Sequence, residues 1–203
     1  MRRRTLLSAA LALPLVGLTA APALAQQLSL GAVSNYLNQL QTATGGFTQI
    51  NPDGTISTGT IYIKRPNRVR FEYNAPDESL VMAGGGQVAV FDGRSNQPPE
   101  RYPLNQTPLS IILAPNVDLT RARMVTGHTS DGTTTTITAQ DPDHPEYGNI
   151  QMVYTADPVE LRQWIVTDET GQQTTVILND LRSGGSIGDV LFNIRNEMGN
   201  RGF

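Results

Sequence analysis

The sequence predicts a mainly β protein, one long antiparallel sheet curled on itself with two or three short helices. Three observations carry this: a single helical stripe near the start, period-two alternation through most of the remainder, and turn residues that break the alternation at regular intervals. There is no cysteine, so no disulfide staples the chain and the fold rests on an apolar core alone.

Residues 1–25 read as an export leader. Met1-Arg2-Arg3-Arg4 is a compact positive start, Leu6 to Leu18 is apolar, and Ala23-Leu24-Ala25 is a small-x-small cleavage site, which places the mature start at Gln26. The apolar run is shorter than the roughly 20 residues of a spanning helix. The general secretory route and the twin-arginine route both remain open. Loss of three arginines and no acid takes the formal charge from −3 to −6, which argues against a nucleic-acid partner. Residues 26–203 suit one domain.

Ser29 is the expected N-cap of the first helix, whose Leu30, Val33, Leu37 and Leu40 share a face; Thr44-Gly45-Gly46 is expected to end it. Strands are expected at Phe47 to Ile50, Ile56 to Lys64, Arg68 to Tyr73, Leu80 to Ala83 and Gln87 to Asp92, with turns at Asn51-Pro52-Asp53-Gly54, Arg65-Pro66-Asn67 and Gly84-Gly85-Gly86. In the third strand Arg68, Arg70 and Glu72 lie on one face, and Val69, Phe71 and Tyr73 on the other. Thr107 as N-cap and Pro108 at the first helical position predict a short helix through Leu113 that is apolar on nearly every side. Strands follow at Arg121 to Thr126, Thr133 to Ala139, Asn149 to Thr155, Leu161 to Asp168 and Gln172 to Asp180. A helical turn near Ser186 to Val190 and a last strand at Phe192 to Ile194 finish the chain. Ten or eleven strands are too many to stay flat, and the short helices are the only elements available to cover the concave face.

No catalytic constellation stands out. His128 is isolated, and Asp141-Pro142-Asp143-His144-Pro145-Glu146 reads as a surface turn more readily than as a metal loop. Phosphate loops, dinucleotide fingerprints and serine elbows are absent from the sequence, so neither an enzyme nor a cofactor is predicted. The apolar positions say more. Taken singly, each is plain core; together they make more concave apolar surface than short helices fill, which favours a ligand cavity. Its expected lining is Phe47, Val69, Phe71, Tyr73, Leu80, Met82, Val90, Leu109, Ile112, Met152, Tyr154, Trp164 and Val166, with Ile111 beside them on the covering helix.

At Ile61-Tyr62-Ile63-Lys64-Arg65-Pro66-Asn67-Arg68-Val69-Arg70-Phe71-Glu72-Tyr73 the chain resembles the periplasmic outer-membrane lipoprotein carriers, the LolA family. Gly46-Phe47-Thr48-Gln49, Tyr102-Pro103-Leu104 with Thr107-Pro108-Leu109, Leu161 to Asp168 with Gly171-Gln172, and Asp189-Val190-Leu191-Phe192 agree in order. The resemblance implies an unclosed, half β-barrel of about 11 strands with a helical lid over an apolar cavity. It also implies a monomeric periplasmic chaperone that accepts triacylated lipoproteins from an inner-membrane ABC transporter and delivers them to an outer-membrane receptor. By the same resemblance Arg65 bonds to the lid and couples its position to cargo release, and Val69 stands at a transporter-docking position where relatives often have phenylalanine. The strand Val88-Ala89-Val90-Phe91 lacks a tryptophan that many relatives carry. The alternative reading is a periplasmic module on the same fold that senses lipid or lipoprotein.

Overall fold

The computed structural model of the chain describes residues 27–121 and 123–203. The expected leader and its cleavage point lie outside the described residues. Helix α1 spans Leu30–Gln39, α2 Leu109–Leu113 and α3 Ile194–Asn200. The strands are β1 Thr42–Ile50, β2 Ile56–Lys64, β3 Val69–Tyr73, β4 Leu80–Gly84, β5 Gln87–Phe91, β6 Glu100–Pro103, β7 Val125–Ser130, β8 Thr134–Gln140, β9 Asn149–Ala156, β10 Val159–Thr167 and β11 Gln173–Ser183. All eleven form one sheet in the order β6-β5-β4-β3-β2-β1-β11-β10-β9-β8-β7, every pair antiparallel. It is an unclosed barrel whose two free edges are β6 and β7.

The depth of the curl can be read from one contact. Phe71 of β3 and Trp164 of β10 lie four places apart in the sheet, a separation of about 19 Å if the strands lay flat. Their ring centroids are 6.2 Å apart, edge to face. Phe47 of β1 continues the cluster, edge-on to Phe71 at 5.4 Å and to Tyr73 at 5.1 Å. Gly59 of β2 pairs with Phe47 across the ladder, and the ring lies over it where a Cβ would stand. Inner-face residues of both flanks therefore share one core.

Several local expectations are corrected. Helix α1 has Ser29 as its N-cap, its hydroxyl accepting from the Ala32 N–H at 3.1 Å, but it ends at Gln39 and not at the glycine pair. Gly45 and Gly46 lie inside β1 at a bulge opposite β11, and the backbone of Asn179 and Leu181 comes too near Gly45 for a side chain. Thr107 does not cap α2; its hydroxyl donates to the Leu104 carbonyl at 2.8 Å and Pro108 holds the cap position. Strand β6 was not expected, and β7 begins at Val125 and not at Arg121. Residues Phe192 to Ile194 are not a strand: a 3-10 turn over Asp189–Phe192 leads into α3, which Asn193 caps by accepting from the Asn196 N–H.

That C-terminal element covers the outer face of β3 to β5, so both faces of this part of the sheet are buried. Leu80, Met82, Ala89 and Phe91 make a second, smaller core with Ile194. The guanidinium of Arg70 is buried there, bonded to Glu72 at 2.7 Å, to Glu197 at 3.1 Å and to the Leu191 carbonyl at 3.1 Å. Lys64 and Arg68 both meet Asp189 at 2.6 Å. Gly84 admits the Phe192 carbonyl where a Cβ would clash.

Two outcomes check this account. Phe47→Ala removes a fully buried ring packed edge-on against Phe71 and Tyr73, and the folded state should lose about 3–5 kcal/mol in urea unfolding. Burial would raise the pKa of Glu197, but hydrogen bonds and charge from Arg201 and Arg70 leave it below the usual glutamate range. A depressed folded-state pKa gives stability that is full above the ordinary glutamate value, about 4.3, and is lost as pH falls through the native one. Glu197→Gln should therefore destabilise the protein at neutral pH and narrow its difference from wild type in acid, measured by thermal unfolding across that range.

Candidate functional site: an apolar cavity under a helical lid

Helices α1 and α2 lie over the concave face and form the lid. The stripe expected on α1 is the face that packs, with Val33 and Leu37 essentially sealed from solvent. Between lid and sheet lies a cavity lined by Leu37, Leu40, Ile63, Val69, Leu109, Ile112, Leu113, Leu161, Trp164 and Arg65. Its volume is about 10 Å³, room for one water molecule, whereas ligand pockets run to about 300–1,000 Å³. Anything chain-like enters only if the lid moves. A larger hollow of about 520 Å³ lies on the outer face beside α3, but it is open and carries Arg68, Arg101, Asp189 and Arg195, which suit no hydrocarbon.

The lid is fastened by polar bonds few enough to name. Arg65, 5% exposed, donates from Nη2 to the Ala114 carbonyl at 2.5 Å and to Asn38 Oδ1 at 3.4 Å. The Asn67 N–H donates to the Leu113 carbonyl at 2.9 Å, so the turn between β2 and β3 grips the end of α2 twice. Asn38 clamps the segment after α2, donating to the Val117 carbonyl and accepting from the Val117 N–H, both at 2.9 Å. Ser34 accepts from the Leu119 N–H at 2.9 Å, and the Tyr36 hydroxyl accepts from the Leu161 N–H of β10 at 3.1 Å. Burial holds Arg65 below the ordinary arginine pKa, and it drives the Tyr154 phenol well above its usual value. No carboxylate forms an ion pair with Arg65 among the described residues.

The family profile "Outer membrane lipoprotein carrier protein LolA" matches residues 38–195, from the Asn38 clamp through both flanks of the sheet to α3. The chain belongs to the LolA family. An outer-membrane lipoprotein carrier protein of Azotobacter vinelandii is 23% identical over 91% of this chain and 92% of its own length. Proteins of the same name from Cupriavidus taiwanensis and Leptothrix cholodnii are each 30% identical, over 65% and 46% of this chain. The latter match spans 48% of the Leptothrix protein. Among solved structures, a LolA superfamily protein from Nitrosomonas europaea aligns over 82% of this chain and 98% of its own at 11% identity, with a TM-score of 0.41. A DUF1329 family protein from Desulfovibrio piger aligns over 81% and 94% at 11% identity, with a TM-score of 0.47.

Of the residues that sequence reasoning assigned to a LolA-type cavity, Val69, Leu109, Ile112, Trp164 and Arg65 line it. Phe47, Phe71, Met152 and Tyr154 are in the core around it, with Tyr73 and Val166 packed against that core. Burial, only partly offset by the hydrogen bond its hydroxyl donates to Gln49 at 2.7 Å, pushes the Tyr73 phenol up to about 12. Val90 is half-buried opposite Val81. Leu80 and Met82 are corrected: they point to the other face, into the core under α3. The register explains it, since β3 pairs Phe71 with Val81 and Arg70 with Met82, and partners share a face. Leu37, Leu40, Ile63, Leu113 and Leu161 also line the cavity and were missed, although the α1 stripe and the Ile61, Ile63 alternation mark three of them. Asn38, Ser34 and Tyr36 were missed as well; they are polar residues on a lid helix, where nothing local marks a clamp.

His128 donates from Nε2 to the Leu28 carbonyl at 2.8 Å and holds the segment before α1 on β7. The Asp141 to Glu146 stretch is a surface turn in which Asp141 accepts from the Asp143 and His144 N–H groups.

Asn38→Ala removes both bonds to Val117 and one to Arg65. The expected result is faster amide exchange over residues 109–120 and a loss of about 1–3 kcal/mol, with exchange in β1 and β11 changed only by the global shift.

Proposed function

We propose that this protein is a periplasmic carrier that receives acylated lipoproteins from an inner-membrane ABC transporter and hands them to an outer-membrane receptor. The observation that carries the reading is the cavity under the lid, lined by apolar side chains and closed by one buried arginine bonded to the lid backbone. Burying a methylene is worth about 0.8 kcal/mol, so a sixteen-carbon chain exposed to water costs on the order of 12 kcal/mol. Three such chains require a container to cross an aqueous space.

The container must also empty. The lid is held by a handful of hydrogen bonds and by apolar contacts that the acyl chains of the cargo would replace, and the energy for loading comes from the transporter. In this reading the leader is removed after Ala25, residues 26–203 work as one monomeric domain without cofactor, and the activity is binding and release and not catalysis. Val69 would serve in docking on the transporter, and because it is 3% exposed beneath α2, that contact belongs to the lid-open form. Leu109 and Ile112 of the lid, with Trp164 and Val69 of the sheet, would meet the acyl chains.

Protein purified from periplasm should carry acylated lipoproteins in stoichiometric amount by mass spectrometry; recovery of free lipid alone would count against the carrier reading. Arg65→Leu replaces a buried, partly unpaired cation with an apolar side chain, so its stability should stay within about 1 kcal/mol of wild type. Transfer of lipoprotein from this variant to the receptor should be impaired; normal transfer would remove the lid role of Arg65.

A further inference from the structure

Arg65 has five N–H groups and uses only those on Nη2. Nε and both hydrogens of Nη1 are buried and have no partner among the described residues. Native proteins rarely leave buried donors unmet, and a charged group left so is costly. The neighbours do not supply the missing acceptor. The nine other residues lining the cavity are all apolar, and no carboxylate pairs with Arg65 among the described residues. Tyr154 is near enough to act on its charge, but its hydroxyl donates to Met152 Sδ at 3.3 Å and no hydrogen bond joins it to the guanidinium.

We propose that the free N–H groups of Arg65 are a binding site for the carbonyl oxygen at the head of an acyl chain, so that the cavity selects acyl groups over hydrocarbon as such. The inference rests on the reading of the cavity as an acyl container. One cation among nine apolar residues matches a ligand with one acceptor at the end of a long apolar tail. A carbonyl accepts a charge-assisted hydrogen bond from a guanidinium, and an alkane does not. The same side chain then touches lid and cargo through different nitrogens: Nη2 on Ala114, Nε or Nη1 on the carbonyl. A chain seated at that depth reports its head group directly to the atom that holds the lid. Esters and free carboxylates share this chemistry.

Trp164 is the only tryptophan and lines the cavity, so its fluorescence reads binding. The mature protein is titrated with methyl dodecanoate, dodecanoate and 1-chlorododecane, which have similar chains and differ at the head. At least one carbonyl compound should bind roughly 10-fold or more tightly than the chloroalkane. Preference for the methyl ester marks an ester head as the ligand, and preference for dodecanoate alone marks a free carboxylate. In Arg65→Met the ratio should fall towards one, and in Arg65→Lys it should be intermediate. Independently of folding in either variant, the Nε–H resonance of Arg65 in wild type should shift with the preferred carbonyl compound and not with the chloroalkane. Equal binding of all three by wild type, or an undiminished ratio in a folded Arg65→Met, overturns the inference and leaves the carrier reading standing. Binding of none of the three overturns both.

Discussion

A sheet of eleven strands with open edges at β6 and β7 has an inner face that helices of ten and five residues must keep from water. Most of the architecture follows from that mismatch. The sheet curls until Phe71 and Trp164 meet across it, which brings both flanks into one core and shrinks the area to be covered. What the curl does not bury falls to Val33 and Leu37 of α1, to Leu40 just after it, and to Ile111, Ile112 and Leu113 of α2. The lid is therefore bound to the sheet by the same apolar surface that would otherwise bind hydrocarbon. Under the proposed function, lid and cargo would compete for one set of contacts, with Arg65 between them.

The two faces of the sheet solve opposite problems. The outer face under α3 is locked by ion pairs, with Arg70 bridging Glu72 and Glu197 and with Lys64 and Arg68 on Asp189. Arg70, Lys64 and Arg68 there all have carboxylate partners. On the inner face the one buried guanidinium has carbonyl and amide partners and no carboxylate. A carboxylate opposite Arg65 would take two of its three free N–H groups in a charge-assisted pair and leave one donor for anything else. Among the described residues the lid side has no such pair: hydrogen bonds to neutral acceptors and the apolar contacts of α1 and α2 hold the lid, whereas ion pairs join the α3 cover to the sheet.

Much of this was legible in the sequence, and the misreadings share a cause. Alternation put Val69 and Phe71 on one face of their strand, Trp164 was among the expected lining, and Ser29 announced the start of α1. Leu80 and Met82 were misplaced because Leu80-Val81-Met82-Ala83 is apolar throughout and has no alternation to read; only pairing with β3 fixes its parity. Gly45-Gly46 looked like a helix stop because glycine marks both a helix end and a close approach of backbone, and here β11 makes the approach. Glu100 to Pro103 is a fully exposed edge strand with no apolar face to mark it. Val190, Phe192 and Ile194 alternate like a strand, yet they belong to a 3-10 turn and a helix whose partners lie on strands far back in the sequence. Asn38 was invisible for the same reason: its role exists only once residue 117 has been brought beside it.

The position of α2 in the chain has a mechanical meaning. It lies in the segment between β6 and β7, and these are the two rims of the open barrel. That segment is a strap buckled at both rims, with Arg65, Asn67 and Asn38 as its stitches in the middle. Undoing the stitches slackens the strap without freeing either end. In the proposed carrier, α2 would stay tied to both rims through its connections to β6 and β7 when those bonds break.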